Sequence, residues 1–262
     1  MLMEVRNQIK ISYLSIKYAM MKEMINKASF LSNIVFMVLN NSSFIIQWLI
    51  LFSLKESIGG YSFEQVMLLW GLAAGTYGVA HFFFKNAFDL SEIIQTGKLD
   101  AYLVQPKNVL IQIITTDVSV AALGDLVYAL IIVVIFGFRI IPLFVLFSIT
   151  GGFIAVSISI IFSSLAFWFQ RTEMLTDTMN GIILNFATYP DGIFKGFVKI
   201  ILFTIVPVGI ANYLPVHIMT NFDIKLFLIV IVVTILLILF AFFIFNKGLK
   251  RYSSSNLMNA RI

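Results

Sequence analysis

Long apolar runs separated by short polar intervals set the pattern of this chain. An α-helix needs about 20 apolar residues to cross the hydrocarbon of a bilayer, and several runs reach that length. The first predicted span covers residues 30–54, after which Lys55, Glu56, Gly59 and Gly60 turn the chain back. The second covers 63–84 and is rich in small residues. Gly71 and Gly75 stand there in the small-xxx-small relation that lets helices approach closely in lipid. We read that pair as packing within the chain. The third span covers 109–136 and, after a turn at Gly137, Arg139 and Pro142, the fourth covers 143–169. A polar interval precedes a weaker run at 174–189. The last span, 226–245, ends in Asn246, Lys247, Lys250 and Arg251.

Three segments have a different pattern. In residues 1–27, Val5, Ile9, Tyr13, Ile16, Met20 and Met24 recur at spacings of three and four, with Arg6, Lys10 and Lys17 on a neighbouring line. An apolar stripe beside a basic line suits a helix lying at the inner membrane surface. The alternative is a basic lead-in to the first span. Residues 85–108 form a long polar interval in which Asn86 to Thr96 can make a short helix. Ala87, Leu90 and Ile94 would form its apolar side, and Asp89 and Glu92 fall in its first turns. Gly97 suits a helix stop, and Pro106 closes the interval. The stretch 191–219 is apolar but broken by Pro207, Gly209, Asn212 and Pro215. It suits a re-entrant helical pair rather than a crossing.

Charge placement supports that count. With six spans and both termini in the cytoplasm, inside segments carry 13 of the 18 basic residues and outside segments carry Lys55, Arg139, Lys195, Lys199 and Lys225. Such an excess follows the positive-inside rule. A seventh span would put the basic C-terminal tail outside. Composition agrees: 60% of residues are hydrophobic, 12% are charged, and the mean hydropathy is +0.98. One globular core cannot hide that much apolar surface. The predicted fold class is an all-α integral membrane protein in one transmembrane domain, residues 1–262.

The net charge of +5 therefore reads as topology, and no nucleic-acid partner is expected. The absence of cysteine excludes disulfides and thiolate chemistry. There is no G-x-x-x-x-G-K-[ST] loop to hold ATP, no G-x-S-x-G elbow and no H-E-x-x-H. With His81 and His217 as the only histidines, no metal site and no catalytic residues are expected. Two ionisable residues fall inside a predicted span, which makes them functional candidates. Asp117 and Asp125 are eight residues apart, so one continuous helix would place them on a common face to within about 80 degrees. A proton or cation relay along a translocation path is one reading. The other puts Asp117 at the cytoplasmic interface and has Asp125 hydrogen-bond a neighbouring helix. Glu173 and Asp177 either favour a helix N-terminus or meet a partner's basic residues.

The arrangement resembles the membrane subunit of type-2 ABC exporters, in the branch of bacterial ABC-2 family permeases. The resemblance covers nearly the whole chain: the basic surface helix, the helix between spans two and three, and then Gly97-Lys98-Leu99-Asp100-Ala101-Tyr102-Leu103-Val104-Gln105-Pro106. Tyr189-Pro190 is similar to the branch's tyrosine–proline pair. Pro207 and Asn212-Tyr213-Leu214-Pro215 resemble its re-entrant segment. Gln105 departs from it, since a basic residue is expected before the proline. The resemblance implies two permease subunits, identical or sister chains, in the bacterial plasma membrane. It also implies ABC ATPase subunits on separate chains that carry ATP and Mg. The helix over 86–96 would be the coupling helix, with Asp89, Glu92, Ile94, Gly97, Asp100 and Pro106 at the contact. The cargo would be an amphiphilic drug, peptide or lipid moved outward. An ion-coupled carrier or a stand-alone membrane protein are the competing readings.

Overall fold

The computed structural model describes residues 2–253, with side chains from Arg6 onward; Met1, the Val5 side chain and Arg261 lie outside the described residues. Local chemistry starts most of the long helices. α1 runs Leu2–Glu23. α2, Lys27–Leu54, begins where Asn26 Oδ1 accepts from the Ser29 N–H at 3.1 Å. α3, Phe63–Phe84, opens with a reciprocal Ser62–Gln65 capping box that satisfies two N-terminal donors. A 3₁₀ turn, Lys85–Ala87, leads to α4, Leu90–Gln95, and α5, Asp100–Leu103. Then come α6, Val109–Ile114, and α7, Ala121–Phe136. α8, Ile141–Ser163, continues as a 3₁₀ segment, Ser164–Phe167. α9 is Glu173–Ala187 and α10 is Phe197–Thr204. A π-helical turn, Gly209–Tyr213, leads into α11, Leu214–Thr220. α12, Ile224–Leu249, is capped by Asp223, which accepts from the Lys225 N–H at 2.7 Å.

Among the described residues, four helices are long and apolar enough to cross a membrane, lying in Lys27–Leu54, Phe63–Gln95, Phe138–Phe167 and Ile224–Leu249. α10 and the stretch from Gly209 to Thr220 pass that test only together, and they are bent by 74°. Counted as one crossing, they raise the number to five.

α3 is the axis of the bundle. Its apolar window is 83% buried, against 6% for α2 at the rim. Close approach explains this. A Cβ on Gly71 would stand 2.6 Å from Ile132 of α7, and one on Gly75 2.5 Å from Ser148 of α8. The small residues thus serve packing inside the chain, as expected. Dispersion between closely packed surfaces, not exclusion of water, is what holds helices together in lipid. α2 leans mainly on α7, where a Cβ on Gly124 would meet the Ile34 carbonyl at 2.6 Å.

Two apolar cores divide the bundle along its length. One surrounds Trp48, Trp70, Phe144 and Tyr213. The other joins Leu90, Ile93 and Ile94 of α4 to Ala80, Ile160, Phe167 and Phe245.

The structure corrects several predicted boundaries. Residues 109–136 are not one helix, because Thr115 to Val120 break the run between α6 and α7. The Thr115 and Thr116 hydroxyls bond back to the Ile111 and Gln112 carbonyls. Asp117 Oδ1 takes the Val118 N–H, and the Ser119 N–H goes to the His81 carbonyl. Side chains and a neighbouring helix thus claim groups that a continuous helix would pair with itself. The short polar helix is α4 alone, because Lys85–Ala87 winds as a separate 3₁₀ turn. The run predicted at 143–169 starts at Ile141 and leaves α geometry at Ser163.

In α1, the Ile9 and Tyr13 side chains of the predicted stripe are exposed, as are Arg6, Lys10 and Lys17. The helix turns Ala19 inward instead, and Gln8 accepts from the Asn108 N–H at 3.1 Å.

Candidate functional site

The polar interval folds into a compact bracket at one end of the bundle. Ala87, Leu90 and Ile94 are all fully buried, so the apolar side assigned from spacing is the side that packs. Thr96 ends α4, and Gly97 follows at φ +76°, a left-handed conformation that glycine adopts without a Cβ clash. Glu92 points outward and pairs with Lys98 at 2.7 Å. Asp89 stands at the N-cap position without a side-chain cap bond. Asp100 opens α5, while Pro106 precedes the Asn108 cap of α6, which accepts from the Ile111 N–H at 3.1 Å. Gln105 bonds Gln112.

Four polar contacts tie this bracket to α6, the break after it, α8 and the start of α9. Lys85 Nζ donates to Asp117 Oδ2 at 2.8 Å. Asn86 donates to the Ile113 carbonyl at 3.1 Å, and Ser159 of α8 donates to the Ala87 carbonyl at 3.0 Å. The Gln95 amide meets the start of α9. With its oxygen toward Thr172 it accepts from that residue's N–H at 3.1 Å and hydroxyl at 3.0 Å, and its nitrogen donates to Glu173 at 3.3 Å. Glu173 lies in the first turn of α9, where a carboxylate suits the helix dipole.

Asp117 and Asp125 do not share a helix face, which corrects the relay geometry. Asp117 sits in the break and is spoken for by Lys85. Asp125 lies on α7, 9% exposed, and accepts from Asn41 Nδ2 of α2 at 2.6 Å. It lines a cavity of about 310 Å³ between α2, α3, α7 and α9, with Phe44, Trp70, Tyr77, Asn185 and Tyr189.

At the opposite end, the turn between α2 and α3 meets the loop after α9. Gly192 passes so close to Gly59 that a Cβ on it would overlap the Gly59 carbonyl. Asp191 collects three partners there: Tyr61 at 2.9 Å, Lys199 at 2.7 Å and His217 at 3.5 Å. Burial alone would raise the Asp191 carboxyl, but the hydrogen bonds from His217, Lys199 and Tyr61 outweigh it and hold the group well below the usual carboxylate range. Lys199 belongs to α10 and His217 to α11, so both limbs of the bent pair reach the same carboxylate. Pro190, Pro207 and Pro215 are buried around this fold-back, and Tyr189 is partly exposed beside the cavity.

A family model described as ABC-2 family transporter protein matches residues 36–256. The chain belongs to the ABC-2 transporter family. This ABC-2 protein is therefore a multi-pass membrane transport component, a permease. No characterised protein and no solved structure matches the chain.

Two groups in the permease escaped the reading from sequence. Asn40, Asn41, Ser42 and Ser43 interrupt the middle of the first apolar run. Four consecutive polar residues at that depth were a visible signal, and Asn41 proves to be the partner of Asp125. Tyr61, Asp191, Lys199 and His217 carried no local signal, because they are separated by up to 156 residues. The His81 ring stacks 4.4 Å from Tyr77 and 3.8 Å from Phe88. Among the described residues no cluster of three or more His, Asp or Glu is placed to hold a metal.

Proposed function

We propose that this permease is the membrane half of an ATP-driven exporter in the bacterial plasma membrane, with ATP and Mg bound on a separate ABC ATPase. The single observation that carries the reading is the α4 bracket. Ile93 and Ile94 share one core with the ends of α8 and α12, and Gln95 caps α9, so a push on α4 reaches several long helices at once. The outward residues Glu92 and Lys98, with Asp89, Asp100 and Pro106 nearby, form the face offered to the ATPase. This is the arrangement a coupling helix requires: a rigid seat on one side and a polar docking face on the other.

Six crossings accompany this reading: α2, α3, the broken α6–α7 run, α8, α9 and α12, with both termini in the cytoplasm. The bent α10–α11 pair is re-entrant, a reading supported by the meeting of both its limbs at Asp191. α9 has 15 residues, a length of roughly 22 Å at 1.5 Å per residue, and so spans by thinning or by its extended flanks. α1 lies on the inner surface with Ile9 and Tyr13 toward lipid. A second permease subunit, identical or a sister, completes the path for an amphiphilic cargo. The test is affinity purification in mild detergent. Co-elution of an ABC ATPase whose ATP turnover rises in the complex supports the reading; purification without any ATPase overturns it.

A further inference from the structure

The cavity beside α7 contains a carboxylate without a counter-charge. Among the described residues no lysine, arginine or histidine pairs with Asp125, and its one hydrogen bond comes from the neutral amide of Asn41. An isolated charge at that depth is expensive unless something positive joins it. The walls supply the rest of a cation site. Phe44 and Trp70 stack with centroids 4.4 Å apart, and Tyr77 lines the same space. Aromatic faces attract cations, and do so more strongly where water is scarce. A volume of about 310 Å³ falls in the range of small-molecule sites.

We propose that this cavity binds an amphiphilic organic cation, with Asp125 as the counter-ion and Phe44, Trp70 and Tyr77 as the apolar walls. This rests on the transporter reading for its place in a transport path, and it names the class of cargo that path selects. Asn41 holds Asp125 Oδ1, which fixes the carboxylate against α2 while its second oxygen has no protein partner among the described residues. Neutral and anionic amphiphiles lack the group that Asp125 requires.

The test measures equilibrium binding of tetraphenylphosphonium to the full-length protein in detergent, with its co-purifying ATPase. Tetraphenylborate, of the same shape and opposite charge, is the control. Wild type should bind the cation about tenfold or more tighter than the anion. Asp125→Asn keeps an acceptor for Asn41 and should lose that preference. Asn185→Trp, at an exposed position lining the cavity, should block the cation without lowering the melting temperature. Equal affinity for the two probes, or undiminished cation binding by both variants, overturns the proposal. Cation binding through Asp125 without any co-purifying ATPase would leave the site standing and remove the exporter. An ATPase complex with no preference for the cation would do the reverse.

Discussion

Lys199 Nζ sits 2.7 Å from Asp191 Oδ2, and that contact fastens α10 to the loop that leaves α9. Because the folded Asp191 is held below its unfolded range, it contributes stability in full above the unfolded carboxylate value, about 3.9. That contribution is lost as pH falls through the folded value. Acidification below about pH 4 should therefore loosen residues 197–220 first. Asp191→Asn removes the charge, so its exchange protection over that stretch should be lower at neutral pH and respond less to acid. Hydrogen exchange of the α10–α11 segment at several pH values is the measurement.

Lys85 and Asp117 join the end of α3 to the break before α7 at 2.8 Å. Both side chains are about a third exposed, so solvent screening keeps the pair weak. A double-mutant cycle with Lys85→Ala and Asp117→Asn should give a coupling of at most about 1 kcal/mol in thermal or denaturant stability. A coupling several times larger would mean that the break depends on this pair rather than on the threonine back-bonds.

Glu92 and Ile94 lie two residues apart on α4 and should separate docking from folding. Glu92→Lys breaks an exposed pair with Lys98, so stability should change by less than about 1 kcal/mol. The same variant should reduce ATPase co-elution. Ile94→Ala empties part of a fully buried site and should destabilise by about 2–5 kcal/mol. Melting temperature and pull-down on both variants give the comparison.

Two glycines should respond in opposite ways to alanine. At Gly75 the new methyl meets Ser148 Oγ at 2.5 Å, forcing α3 from α8 and destabilising by about 1–3 kcal/mol. At Gly181, inside α9, it meets nothing within 4 Å and should stabilise the helix by up to about 1 kcal/mol. Thermal unfolding in one detergent compares the pair directly.

What the sequence revealed was local in origin. The buried side of α4 followed from the spacing of Ala87, Leu90 and Ile94, and its end from Gly97, because helix period and glycine conformation act over a few residues. The prolines of 191–219 announced a broken segment for the same reason. The break at 115–120 was missed because residues 109–136 are apolar enough to read through it. What ends α6 is a set of hydroxyl back-bonds and a carbonyl on α3. The Asp191 cluster joins two loops to α10 and α11, and no short window of sequence contains it. The cavity required knowing that Asn41 and Asp125, 84 residues apart, face each other.

The enclosure of α3 has a consequence for how this chain tolerates change. On α12, exchanging leucine for isoleucine or phenylalanine at the rim swaps one oily surface for another, and acyl tails adapt to either. On α3 each side chain already has fixed neighbours, so a side chain of different shape or size has nowhere to go. Random substitution should therefore be absorbed at the periphery and refused along the axis, whatever the surrounding lipid.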